Sequence, residues 1–164
     1  ACSPACAIAI AERKREKQAQ QMAAEKRRET RQRLESMNGI PELIREADKA
    51  FCAFVRARDA GKPCICCGRS SSGWSRGGDW DAGHYRSRGA ASHLRYHEDN
   101  CHSQLKQCNR RAFDVASYRA NLIGRIGLAR VETLENDNAP HKWTRDELKA
   151  IKAEYIRKRK EIEE

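Results

Sequence analysis

The sequence predicts an α+β chain: a small metal-stapled ribbon-and-helix core set among α-helices, preceded by a long charged helix. Three observations predict this. Core material is thin: 39% of the 164 residues are hydrophobic, 6% aromatic and 34% charged, so polar helices and a metal clip are needed where burial alone cannot hold a module together. Stretches on both sides of the centre carry helical periodicity without internal proline. Between them, residues 62–111 read KPCICCGRSSSGWSRGGDWDAGHYRSRGAASHLRYHEDNCHSQLKQCNRR and gather four of the five histidines and five of the eight cysteines.

Residues 1–8, ACSPACAI, hold Cys2 and Cys6, half of a metal site at most. Residues 9–37 read as one helix of strong helix formers with nine basic and five acidic residues. Met22, Leu34 and Met37 are too scattered for a heptad seam, which leaves a solvated arm or one that tracks phosphates. Asn38-Gly39 breaks this helix, and Pro41 suits the first turn of the next. Residues 41–60 form an amphipathic helix on Leu43, Ile44, Ala47, Phe51, Phe54 and Val55, with Cys52 a half-buried thiol. In the central module, strands over 80–85 and 93–97 flank an RSRGAA loop, and a helix runs from 99 or 100 to 111. Residues 115–135 are a helical pair interrupted near Gly127. Thr144 and Glu147 make a capping box with Trp143 as its staple. The basic helix that follows turns Leu148, Ile151, Tyr155 and Ile162 inward, to pack on the 41–60 and 115–126 helices. The organisation expected is therefore 1–8, a charged arm over 9–38, and a domain over 40–164 whose core is 62–111.

The charge balance, 33 basic against 23 acidic residues and a net +10, points to a polyanionic partner, nucleic acid above all. No run approaches the roughly 18 apolar residues of a membrane span, and no signal-peptide pattern is visible. Cysteines clustered among histidine and arginine fit a reducing compartment and zinc better than disulfides.

Cys64 and Cys67, in a Cys-x2-Cys turn closed by Gly68, point two thiolates at one ion. Cys108 offers a third. Cys101, two helical turns before it, is the expected fourth ligand of a structural zinc, with Cys66 and His102 as other candidates. His84, at a strand end beside glycine, can take a proton from water as a general base toward a phosphodiester. Asp81 is a hard ligand for Mg²⁺ or Mn²⁺, although three residues along an extended strand put it on the face opposite His84 unless the chain bulges at Gly83. Asn100 and Asn109 carry amide oxygens, one to orient the histidine and one to touch the metal; both also suit helix caps. Arg86, Arg88, Arg95, Arg110 and Arg111 match phosphate oxygens with paired donors. Trp74 and Trp80 pack the ribbon or stack on bases.

The run CICCG…WDAGHYRSRGAA…LRYHEDNCHSQLKQCNR, the CSPAC start and the LIGRIG…HKWTRDELKAIKAEY tail together resemble the NinG/Rap recombination proteins of lambda-like phages. The resemblance covers nearly the whole chain. It implies an HNH-like ββα-metal core and structure-specific cutting of branched DNA, Holliday junctions and D-loops, during phage recombination. It implies His84 as the general base, Asn100 as the residue that fixes its ring, and Asn109 as a ligand of the catalytic ion. Cys64 and Cys67 then match a first zinc pair and Cys108 the last cysteine of a second. Cys2 and Cys6 match the second half of a separate zinc ribbon. The chain departs from the pattern in three places. Leu105 stands where the second pair has its other cysteine. Gly83 stands where many such enzymes have Asp before the histidine. Arg-Ala-Phe-Asp at 111–114 replaces a small turn.

The function expected is a divalent-metal-dependent endodeoxyribonuclease acting on branched DNA. It is expected to work as a homodimer beside phage or host recombination proteins in the bacterial cytoplasm, with no membrane partner. The alternatives are a non-catalytic zinc module that binds junction or single-stranded DNA, and a zinc-stapled protein adaptor.

Overall fold

The computed structural model describes residues 4–37, 39–70, 78–111 and 114–164. Trp74 and Cys2, singled out above, lie outside the described residues, as does the side chain of Cys6. The chain divides into two compact units, Ala1–Gly39 and Ile40–Glu164. The first is carried by one helix, α1 (Pro4–Met37), so its helix begins earlier than the arm expected from residue 9. Ile8, Ile10, Met22, Leu34 and Met37 are all exposed along it, as a helix without an apolar stripe requires.

The second unit is mixed and helix-dominated, with one two-stranded sheet. Its elements are α2 (Ile40–Arg58), β1 (Trp80–His84), β2 (Cys101–Leu105), α3 (Lys106–Arg110), α4 (Val115–Ile126), α5 (Leu128–Asn136) and α6 (Arg145–Glu163). β1 and β2 pair antiparallel in unbroken register, from Trp80 opposite Leu105 to His84 opposite Cys101. The second strand is therefore not at 93–97. Residues 92–94 and 98–100 are single 3₁₀ turns, and the helix expected from 99 or 100 occupies only 106–110.

The ribbon lies between two hydrophobic cores, and this decides where its side chains go. On one side, the Cys64–Cys66 turn, Leu94, Cys108, Tyr118, Leu122, Val131 and Leu134 pack together, with Trp80 and Leu105 against them. On the other, Leu43, Ala47, Phe51, Phe54 and Val55 of α2 meet Leu148 and Tyr155 of α6, with Tyr96 and Cys101. Burial on both faces explains why β2 shows no alternation: Cys101, His102, Ser103 and Gln104 are all buried. α6 packs on α2 but, contrary to expectation, not on α4, whose stripe is used up in the first core with α5. The starts of α4 and α6 are capped by side chains, one of them, at Thr144, as the sequence signalled. Asp114 caps α4 by accepting from the N–H groups of Ala116 and Ser117, and Thr144 and Glu147 form the capping box of α6.

Candidate active site and thiol cluster

β1 presents His84 to a cavity of about 320 Å³ that Asp81, Ala82, Cys52, Arg56, Arg88, Asn109 and Arg110 also line. The side chain of Asn109 on α3 donates from Nδ2 to Asp81 Oδ2 at 3.1 Å, because α3 follows β2 and folds back on β1. Asp81 and His84 thus border one cavity although the register contains no bulge. The cavity therefore takes in residues of both strand faces, Asp81 as well as Ala82 and His84, without the bulge at Gly83 that strand parity called for. Asp81 is the one carboxylate among the described residues that line this cavity.

His84 donates from Nε2 to the Arg95 carbonyl at 2.9 Å, because a carbonyl can only accept. The free lone pair is therefore on Nδ1, which lies 3.7 Å from Cys101 Sγ. Burial lowers the imidazole pKa from 6.5, against the pull of the Arg95 carbonyl, so the ring is neutral at pH 7. Asn100 does not touch the ring. Fully buried, it accepts from Arg86 N–H at 2.8 Å and donates to the carbonyls of Arg86 and Leu94 at 3.0 and 3.1 Å. It closes the loop that delivers the Arg95 carbonyl, and so holds His84 at one remove.

Cys64, Cys67 and Cys108 bring their Sγ atoms within 4.8 Å of one another. The turn is shaped by Gly68 at φ +70°, a left-handed position that glycine takes without strain. The Leu105 N–H donates to Cys64 Sγ at 3.2 Å. Burial, then the neighbouring Cys67 and Cys64, push Cys108 up to about 12. Cys67 is held at about 7, where the Arg69 guanidinium and backbone outweigh burial. Three thiols this close suit one soft cation, since four sulfurs around zinc at about 2.3 Å sit roughly 3.8 Å apart. Cys101, the expected fourth ligand, lies elsewhere. It is on a strand, not on a helix with Cys108, and it is buried in the α2–α6 core beside His84. Burial raises its thiol pKa well above 9.0. Cys66 donates to the Asp114 carbonyl, and His102 is bonded to the Asp99 carbonyl and faces Asp59. Among the described residues the cluster has three ligands.

The arginines expected to grip phosphate are mostly engaged within the fold. Arg86 reaches the carbonyls of Leu134, Glu135 and Asp137 and the side chain of Asn138, capping the C-terminal end of α5. Arg88 and Arg95 share Asp48 of α2 at 2.9 and 2.6 Å. Arg110 holds Asp81 at 3.0 Å. Arg111 is exposed, without an ion pair among the described residues.

The family model described as Bacteriophage Lambda NinG protein matches residues 1–164. The chain belongs to the NinG family. Among curated NinG proteins, that of Salmonella phage P22 is 46% identical over 120 residues, which cover 73% of this chain and 57% of that protein. That of Escherichia phage lambda is 44% identical, covering 73% and 56%, and that of Escherichia phage 933W is 42% identical, covering 73% and 57%. The chain thus spans a little over half the length of the curated NinG proteins it matches. No solved structure matches it. No described helix is long and apolar enough to cross a membrane.

Three residues of this NinG chain bear on the site without having stood out in the sequence. A Cβ on Gly83 would lie 1.9 Å from Gln104 Oε1, so the place where an Asp was expected is filled by a neighbour's side chain. Asp59, 2% exposed, takes bonds from Arg58, Lys62 and the Ser103 N–H and ties α2 to β2. Arg56 borders the His84 cavity without a hydrogen bond or ion pair among the described residues. Only Asp59 left a sequence trace, the run Arg58-Asp59, and that reads equally well as a helix end.

Proposed function

We propose that this chain is a divalent-metal-dependent endonuclease of the HNH-like kind that cuts branched DNA in phage recombination. The observation that carries this reading is one cavity bordered by His84 and Asp81 of β1 and Asn109 of α3. The strand–strand–helix order of β1, β2 and α3 agrees with it.

The donor chemistry fits a hard cation that takes the place of the Arg110 guanidinium on Asp81. Asp81 contributes a carboxylate and Asn109, its amide turned end for end, a carbonyl oxygen, within reach of the same point. Mg²⁺ or Mn²⁺ held there would neutralise charge on the scissile phosphate and the departing oxygen. Once a water takes the place of the Cys101 Sγ contact at Nδ1, His84 accepts its proton while the water oxygen bonds to phosphorus. The phosphorus–oxygen bond to the sugar then breaks, and the departing oxygen is protonated from solvent. Burial keeps His84 neutral for this task. Zinc on Cys64, Cys67 and Cys108 would lock the 64–68 turn to α3, and with it Asn109. A four-way junction is two-fold symmetric, so paired cuts suit two copies of the chain.

A second reading, a non-catalytic zinc module that binds branched DNA, is favoured by one observation: both His84 nitrogens already face internal groups, the Arg95 carbonyl and Cys101 Sγ. Nicking of a labelled Holliday junction with Mg²⁺ or Mn²⁺ separates the two. His84→Ala should lower nicking by about 10²- to 10⁴-fold and leave junction binding intact. Equal cutting by both proteins would remove His84 from the mechanism, and binding without any cut product would leave the second reading.

A further inference from the structure

Resting on the reading that the partner is DNA, we infer that the backbone of one DNA arm lies along the outer groove between α2 and α6 and enters the His84 cavity past Arg56. Glu46 meets Lys152, Phe51 meets Tyr155 and Phe54 meets Lys158, so the two helices run in the same direction. They leave between them a groove of about 650 Å³. Its α2 wall is one helical stripe, Glu46, Lys49, Ala50, Ala53 and Arg56, and the small alanines let a sugar–phosphate backbone approach closely. Five cations and two carboxylates line the groove. Lys152 is held by Glu46 at 2.9 Å and Arg159 by Glu163 at 2.7 Å. Lys49, Arg56 and Lys160 are exposed and have no hydrogen-bond or ion-pair partner among the described residues.

Arg56 also lines the cavity that holds His84, Asp81 and Asn109, so one cationic residue borders both the groove and the candidate active site. The inference reverses the assignment made from sequence. The arginines clustered in the central module serve the fold, and cations of the flanking helices serve the phosphates.

The test uses the whole chain and a labelled four-way junction without added Mg²⁺ or Mn²⁺, with affinity measured from 50 to 200 mM salt. A triple variant, Lys49→Gln, Arg56→Gln and Lys160→Gln, should flatten the slope of log affinity against log salt by about 2 to 3. It should also bind at least about 10-fold more weakly at the low-salt end. The control, Arg45→Gln, Lys142→Gln and Arg157→Gln, removes the same charge from exposed positions outside the groove and should change the slope much less. An unchanged slope in the first variant, or an equal change in the control, overturns the inference. So does a first variant that loses self-association while keeping the slope, which would assign the groove to a second copy. Failure of the nuclease reading is a separate result: a wild-type chain that never nicks but shows the slope difference keeps the DNA track, and a chain that nicks with no slope difference loses it.

Discussion

The imidazole of His84 is held by the Arg95 carbonyl at Nε2 and by Cys101 Sγ at Nδ1, and not by Asn100. Its setting therefore depends on small residues that let the ribbon close tightly. Gly83 is one of them, because the buried Gln104 side chain occupies the space a Cβ would need. Neither Gln104 Nε2 nor Oε1 has a hydrogen-bond partner among the described residues, so this contact is held by packing. Gly83→Ala should destabilise the chain by about 1–3 kcal/mol, as overpacking does. Gln104→Ala alone opens a cavity and also costs stability, but the double variant should be more stable than the sum of the single changes predicts, measured by urea unfolding in a double-mutant cycle. Additive losses would mean that the two side chains do not compete for space. Sequence could nominate His84, Asp81 and Asn109 because residue type alone limits who can bind a proton or an ion. It could not show the close fit at Gly83, which depends on a partner twenty-one positions away.

Among the elements, the Cys64–Gly68 turn and α3 carry the one cluster of three thiols among the described residues, and a metal there would bind together segments far apart in the chain. Cys108→Ser should abolish zinc retention by native mass spectrometry and lower the melting temperature, since a structural zinc contributes directly to folding. Cys101→Ser should leave zinc retention unchanged, because that thiol lies in the other core. Zinc lost equally in both variants would restore Cys101 as a ligand. The amphipathic helices were legible because their apolar residues recur at helical spacing, as from Leu43 to Val55 in α2, and because one cap is spelled out, Thr144 with Glu147 at α6. β2 was not legible. A strand covered on both faces has no polar side to alternate with, and Cys101 to Leu105 therefore passes for the start of the helix that follows. That single misreading also produced the assignment of Cys101 to the zinc, since two turns of helix would have put it beside Cys108.

Over the whole Ile40–Glu164 unit, Asp59 is the charge on which the parts converge. Burial would raise its pKa, but bonds from His102 and Arg58 and the Ser103 N–H outweigh this and hold the carboxyl far below 3.8. A carboxylate depressed on folding contributes stability that is complete above its unfolded pKa and is lost as pH falls. Unfolding free energy should therefore decline below about pH 3.8, and Asp59→Asn should flatten that decline while costing about 3–5 kcal/mol at neutral pH, because it strands the cations around it. Denaturant titrations of both proteins from pH 3 to 7 check this, and parallel curves would acquit Asp59. The pairing of α2 with α6 has a further consequence for how the molecule comes into being. Lys152 and Glu46 are 106 positions apart, so during translation the apolar side of α2 must wait for its mate. At about 5–20 residues per second that delay is roughly 5 to 20 s, during which Phe51 and Phe54 lack the Tyr155 ring they pack against. A nascent chain is thus sticky before it is finished, and the α2–α6 core closes only when α6 has been made.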